Sequence, residues 1–288
     1  MLNLSCRLIH ASRLAYAINE KGNAFDNALG INVTDEIEKA GFDNTGFQFF
    51  QSLNDHSIDA CYVGKAKDFD ATILAFRGTL PPNLDAKNTK EFVQILLDWL
   101  NNGKIEQVSG EDLPGKVHQG FLQSLDNLWS GIEAFDIPLD KPLYITGHSK
   151  GGALAYLAAA RWQQQFSIMP TGVFTYAAPR VGNQQFALAY DAIMKGLTHR
   201  FEYRDDVAPH FPPHTATWLQ TFKVGDNVNN KIAASVPVEA LSAKTDFDGL
   251  IKRVEQIMRR IEDHTDNLES YVSAGTLRFI NWDKPPTI

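Results

Sequence analysis

Two hydrophobic periods alternate along this chain, and the places where one gives way to the other mark its elements. Leu4, Leu8, Ala11, Ala15 and Ile18 recur at helical spacing and predict a helix over 4–18. The stretch 20–45, with Gly22, Gly30 and Gly41, has no clear period and receives no assignment. Strands are expected at Phe47–Gln51, Ile58–Val63 and Thr72–Phe76, separated by turn-like Asn54-Asp55 and Lys67-Asp68. A helix is expected from about Thr89 to Leu100. Its apolar residues, Phe92, Val93, Ile95, Leu96, Leu97, Trp99 and Leu100, exceed one face of a surface helix. Residues 117–132 read as helical, and 143–165 as a strand followed by a helix. Val173–Tyr176 and Arg200–Tyr203 are further strands, and Trp218–Val224 is read as the last. Phe247, Leu250, Ile251, Val254, Ile257, Met258 and Ile261 give a regular helix over 246–262. Strands alternating with helices predict an α/β fold around a central, mostly parallel sheet, with its site beyond the C-terminal strand ends.

The strand-to-helix switch at 143–165 carries candidate chemistry. Apolar Leu143-Tyr144-Ile145 runs into Gly147-His148-Ser149-Lys150-Gly151. This is the nucleophile-elbow pattern, in which a serine on a sharp turn lifts its hydroxyl clear of the sheet. A serine held at positive φ requires neighbours without a Cβ two residues to either side, or strand and helix collide. Leu154, Leu157, Ala158 and Trp162 continue at helical spacing behind it.

Composition narrows the partners. The chain has 288 residues, 44% hydrophobic and 21% charged, with a formal net charge of −7 and no long basic run, which argues against nucleic acid. Two cysteines, Cys6 and Cys61, make no disulfide framework. Arg7, His10 and Arg13 interrupt the apolar N-terminal stretch, unlike a signal peptide. No apolar run reaches the roughly 18 residues of a membrane span. The expectation is a cytoplasmic protein, or one exported without a cleaved signal.

A serine hydroxyl needs a base, and the base needs a carboxylate to fix its tautomer. Four histidines follow Ser149: His199, His210, His214 and His264. His199 precedes the acid candidates and reads as a solvated or hydrogen-bonded residue. His210 and His214 lie on a proline-rich loop, and His264 lies beyond Trp218–Val224, where the order Ser, acid, His expects the base. Asp205 and Asp206 are adjacent acids after the 200–203 strand, and neither Asp226 nor Asp246 abuts a strand end followed by a Pro-stiffened turn.

Several motifs recur in order: Ala75-Phe76-Arg77-Gly78-Thr79, Val117-His118-Gln119-Gly120-Phe121, the serine turn, Ala178-Pro179-Arg180-Val181-Gly182-Asn183, Asp206-Val207-Ala208-Pro209 and His264. With them the chain resembles the class 3 (fungal-type) triacylglycerol lipases of the α/β-hydrolase fold. The resemblance implies one domain over 1–288, a mostly parallel sheet flanked by helices, and a helical lid at 80–101. The segment 226–263 would be a helical cap or insertion. It implies Ser149 as nucleophile, His264 as base and Asp206 as orienting acid, with the oxyanion held by Thr79 and Lys150. No metal or organic cofactor is implied. The expected partner is a lipid or other ester substrate at a lipid–water interface. Alternatives are a phospholipase A, an esterase on aromatic acid esters, or a catalytically inactive hydrolase-fold binding protein. The family usually has Leu after the serine. Lys150 stands there instead, its backbone N–H unaffected, and its ammonium must reach water or an acid. Asp205 falls where the family commonly has Asn.

Overall fold

A computed structural model describes residues 3–43, 45–54, 57–67, 70–80, 106–202, 208–210, 212 and 271–279. In chain order the strands are β1 (Gln48–Asn54), β2 (Ser57–Lys65), β3 (Thr72–Phe76), β4 (Gln107–Ser109), β5 (Lys116–His118) and β6 (Leu143–His148). They continue as β7 (Gly172–Tyr176), β8 (Gly182–Asn183), β9 (Thr198–Glu202), β10 (Tyr271–Val272) and β11 (Thr276–Phe279). The helices are α1 (Leu4–Leu14), α2 (Val33–Ala40), α3 (Gln119–Ala134), α4 (Lys150–Phe166) and α5 (Gln184–Met194).

Seven strands form one sheet in the order β1-β2-β3-β6-β7-β9-β11. From β3 to β11 every neighbour is parallel, and β1 and β2 add an antiparallel hairpin at one edge. Strands β3 and β7 are buried at every residue because both sheet faces are covered there. Within β3 the two-residue period sends Ile73 and Ala75 to one side, with α1, and Leu74 and Phe76 to the other, with α3 and α4. Along α4 every residue from Gly151 to Trp162 is buried. Each buried Leu there, Leu154 and Leu157, contributes about 1.5–3 kcal/mol of transfer free energy. The four short strands make a second sheet, β10-β8-β5-β4. The fold is that of an α/β-hydrolase, with its mostly parallel sheet between helical layers.

Several expectations are corrected. The first helix stops at Leu14 and tightens into a 3-10 turn over Ala15–Ala17. The unassigned stretch holds α2, capped by the Asn32 side chain, which accepts from the Asp35 N–H, and closed by Gly41 at φ 75°. Residues 116–118 are strand before α3 begins. Helix α5 was not anticipated, although Asn183 caps it and Phe186, Ala187, Tyr190 and Met194 line its buried side. Trp218–Val224 is not the last strand: β10 and β11 follow, and β11 extends the main sheet by pairing parallel to β9. Thr276–Phe279 does alternate polar and apolar residues, but over only four positions at a sheet edge, the shortest run that alternation can mark. Trp218–Val224 itself, the 246–262 helix, the 226–263 segment and the lid beyond Leu80 lie outside the described residues. Among the described residues no helix is long and apolar enough to cross a membrane.

Candidate active site

The elbow serine is held in a strained backbone conformation. Ser149 sits between β6 and α4 at φ 54°, ψ −128°, 3% exposed. Such a conformation costs a non-glycine residue about 1–3 kcal/mol and persists only where the surroundings enforce it. Here the Ser149 N–H donates to Tyr176 O at 2.9 Å on β7, and the Gly152 N–H donates to Ser149 O at 2.9 Å. The flanking glycines are fixed by space. A Cβ on Gly147 would lie 2.1 Å from Gly151 O, and one on Gly151 would lie 2.3 Å from Phe76 O. Strand, turn and helix are thus in backbone contact, and α4 abuts the end of β3.

That contact brings a second segment to the serine. Strands β3 and β6 pair with Phe76 opposite Gly147, so Arg77-Gly78-Thr79 leaves the sheet beside His148-Ser149-Lys150. Arg77 is buried, and its guanidinium donates to Ile18 O at 3.3 Å and Ile58 O at 2.9 Å. This fixes the base of the loop, and burial lowers the guanidinium pKa below its usual range. A Cβ on Gly78 would stand 2.0 Å from the Tyr16 hydroxyl oxygen and 2.7 Å from His148 O. Tyr16 in turn shares a 2.8 Å hydrogen bond with Nδ1 of His148. The turn after α1 therefore touches both the Thr79 loop and the elbow. The Thr79 hydroxyl is buried and has no hydrogen-bond partner among the described residues, a state that costs about 1–3 kcal/mol.

Charge surrounds the site in an ordered way. The Lys150 ammonium does reach an acid: Nζ lies 2.6 Å from Oδ1 of Asp59 on β2, with the side chains 12% and 0% exposed. Asn127 Nδ2 on α3 donates to Asp59 Oδ2 at 3.3 Å. Burial, with the Lys150 charge nearby, pushes the His118 imidazole down to about 3, and burial alone takes His148 down to about 4. Both rings are neutral at pH 7. His118 caps α3, its Nδ1 accepting from the Phe121 N–H at 3.3 Å.

The structure thus brings together Thr79, Ser149 and Lys150. His199 is not with them: it is the second residue of β9, level with Phe174 in the middle of β7, and its ring lies 4.7 Å from the Phe174 ring. Asp205, Asp206, His214 and His264 lie outside the described residues, as does the His210 side chain. Sequence reasoning missed Tyr16, Asp59 and Asn127. Asp59 carried a faint signal, an acid inside an otherwise apolar strand.

A match to the family described as Lipase (class 3) spans residues 73–216, half of the chain. The chain belongs to the class 3 lipase family. The match contains Thr79, Ser149, Lys150 and Asp206 and stops before His264. Among curated relatives, the chain is 33% identical over 122 residues to secreted mono- and diacylglycerol lipase 1 of Fusarium solani, covering 40% of this chain and 36% of that protein. It is 35% identical over 170 residues to a lipase of Rhizopus niveus, covering 55% of this chain and 39% of that protein. The matches thus span well under half of these relatives. Lipase II from Rhizopus niveus shares the fold at a TM-score of 0.55 and 21% identity, over 73% of this chain and 74% of that one.

Proposed function

We propose that the protein is a serine carboxylic-ester hydrolase, a lipase that cleaves acylglycerol esters through an acyl-enzyme. The observation that carries this is the strained, nearly buried Ser149 at a strand-to-helix turn, beside a buried Thr79 hydroxyl with no partner among the described residues. Strain at such a turn has a use in catalysis, because it pre-sets the nucleophile, and an unpaired hydroxyl beside it is a donor kept for a substrate oxygen.

In this reading Ser149 Oγ attacks the ester carbonyl while His264 takes its proton and Asp206 holds the imidazole. The carbonyl oxygen becomes an anion held by the N–H groups of Thr79 and Lys150 and by the Thr79 hydroxyl. One such donor is worth about 10²–10³ in rate. His264 then protonates the leaving alcohol and activates the water that hydrolyses the acyl-enzyme. The reaction needs no metal or organic cofactor. Acylglycerols are favoured as substrate by the mono- and diacylglycerol lipase among the relatives, whose secreted description also favours export. The 80–101 segment, with its surplus of apolar residues, acts as a lid that meets lipid.

The test has two parts. A fluorophosphonate should label Ser149 in the wild type and leave Ser149→Ala unlabelled. Hydrolysis of tributyrin should rise sharply past its solubility limit. An unlabelled Ser149 would return the chain to an inactive hydrolase-fold binding protein, and preference for phospholipid over tributyrin would move it to the phospholipases.

A further inference from the structure

The Lys150–Asp59 ion pair lies next to the reacting serine yet has no part in the steps above. Its geometry gives it one. Lys150 is the first residue of α4, where backbone N–H groups have no intrahelical partner. Its side chain runs back to Asp59, and Asp59 sits on the strand that pairs with β3. Strand β2 places Cys61 opposite Phe76, and the Arg77 N–H donates to Ala60 O at 2.9 Å. Continuing that register puts Asp59 beside Gly78. One carboxylate, wholly buried and held from a third side by Asn127, therefore stands between the segment that carries Thr79 and the residue after the nucleophile.

Stability alone does not explain such a pair. Replacing a buried ion pair with apolar side chains is often neutral or stabilising, and Leu is the residue that the family resemblance expects at position 150. An ion pair does supply direction. It fixes a helix terminus against a chosen strand at a set distance, where an apolar contact can slide.

We propose that Asp59 is a positioning residue for ester hydrolysis, anchoring the Lys150 ammonium so that the Lys150 N–H and the Gly78–Thr79 backbone keep the spacing an oxyanion requires. This rests on the proposed ester hydrolase, so fluorophosphonate labelling and p-nitrophenyl butyrate hydrolysis by the wild type come first. If those fail, it is the hydrolase reading that fails.

With the wild type active, Asp59→Asn, Lys150→Met and the double variant are compared. The measurements are kcat and KM per labelled site, melting temperature, and affinity for an alkylboronic acid that forms a tetrahedral adduct on Ser149. Misplacing catalytic groups by about 1 Å costs about 10² in rate. Each single variant should therefore lose about 10- to 100-fold in kcat, keep KM within about twofold, and bind the boronic acid more weakly in proportion. The double variant, which removes both members of the pair and leaves only the Arg77 guanidinium near their place, should regain part of the melting temperature but not kcat. If it regains both, or if the single variants keep wild-type kcat per site, the pair is structural and the proposal falls. Where a single variant does not fold, the double variant alone decides between these outcomes.

Discussion

Gly151→Ala sets two physical effects against each other. Gly151 is the second residue of α4, and helix propensity alone favours Ala over Gly by about 1 kcal/mol. The structure opposes this, because the new Cβ would fall 2.3 Å from Phe76 O and 2.9 Å from Arg77 C. Both are backbone atoms of β3 and the loop it feeds, so no side chain can swing aside. An ordinary carbon–oxygen contact is wider by about 1 Å, and α4 must retreat from β3 by nearly that much. Overpacking of this kind costs about 1–3 kcal/mol. After the propensity gain the net loss is at most about 2 kcal/mol, or a melting temperature lower by up to about 8 °C at the roughly 2–4 °C per kcal/mol of a large domain. The effect on rate should be larger than the effect on stability. The retreat carries Ser149 and the Lys150 N–H away from the Thr79 loop, and a shift of about 1 Å costs about 10². The assay is kcat on p-nitrophenyl butyrate per fluorophosphonate-labelled site, beside a calorimetric melt. Gly196→Ala is the control, since a Cβ there meets nothing within 4 Å. A Gly151→Ala protein with wild-type kcat and an unchanged or higher melting temperature would refute the contact between α4 and β3 as the feature that sets the site.

Asp206→Asn should lower kcat by about 10⁴, the cost of losing control of the imidazole tautomer, and Asp205→Asn by far less; equal small losses would assign the acid elsewhere. Tyr16→Phe removes the hydrogen bond to His148 and leaves a buried ring nitrogen unpaired, which should cost about 1–3 kcal/mol in urea denaturation; an unchanged midpoint would show that the bond contributes nothing. Acid should destabilise the fold early. His148 and His118 stay neutral in the folded protein down to about 4 and about 3, while in the unfolded chain they take protons below about 6.5. The stability they supply is complete above about pH 6.5 and is lost as pH falls toward 4, at about 1.4 kcal/mol per pH unit for each ring. Urea midpoints that stay flat between pH 7 and 5 would contradict this, and His148→Gln should reduce the slope.

What the sequence determined by itself is local. The elbow was legible because its requirements are contiguous in sequence: a strand, two glycines where backbones touch, a serine between them, and small residues that let α4 approach. The run Thr72–Phe76 was legible because a strand buried on both faces must be apolar throughout. Helices α2 and α5 were written in their Asn caps and missed, since their apolar faces are short and glycine-bounded or follow a motif read for other reasons. The electrostatics of the site were decided only by tertiary structure. Asp59 and Lys150 are 91 positions apart and Tyr16 and His148 are 132 apart, with nothing in either local sequence to name its partner. Those pairings exist because the sheet register sets β2 beside β3 and β3 beside β6, and because α1 packs on the sheet face so that the turn after it reaches the end of β6. Register is a property of the whole sheet, fixed by which apolar faces must be buried together.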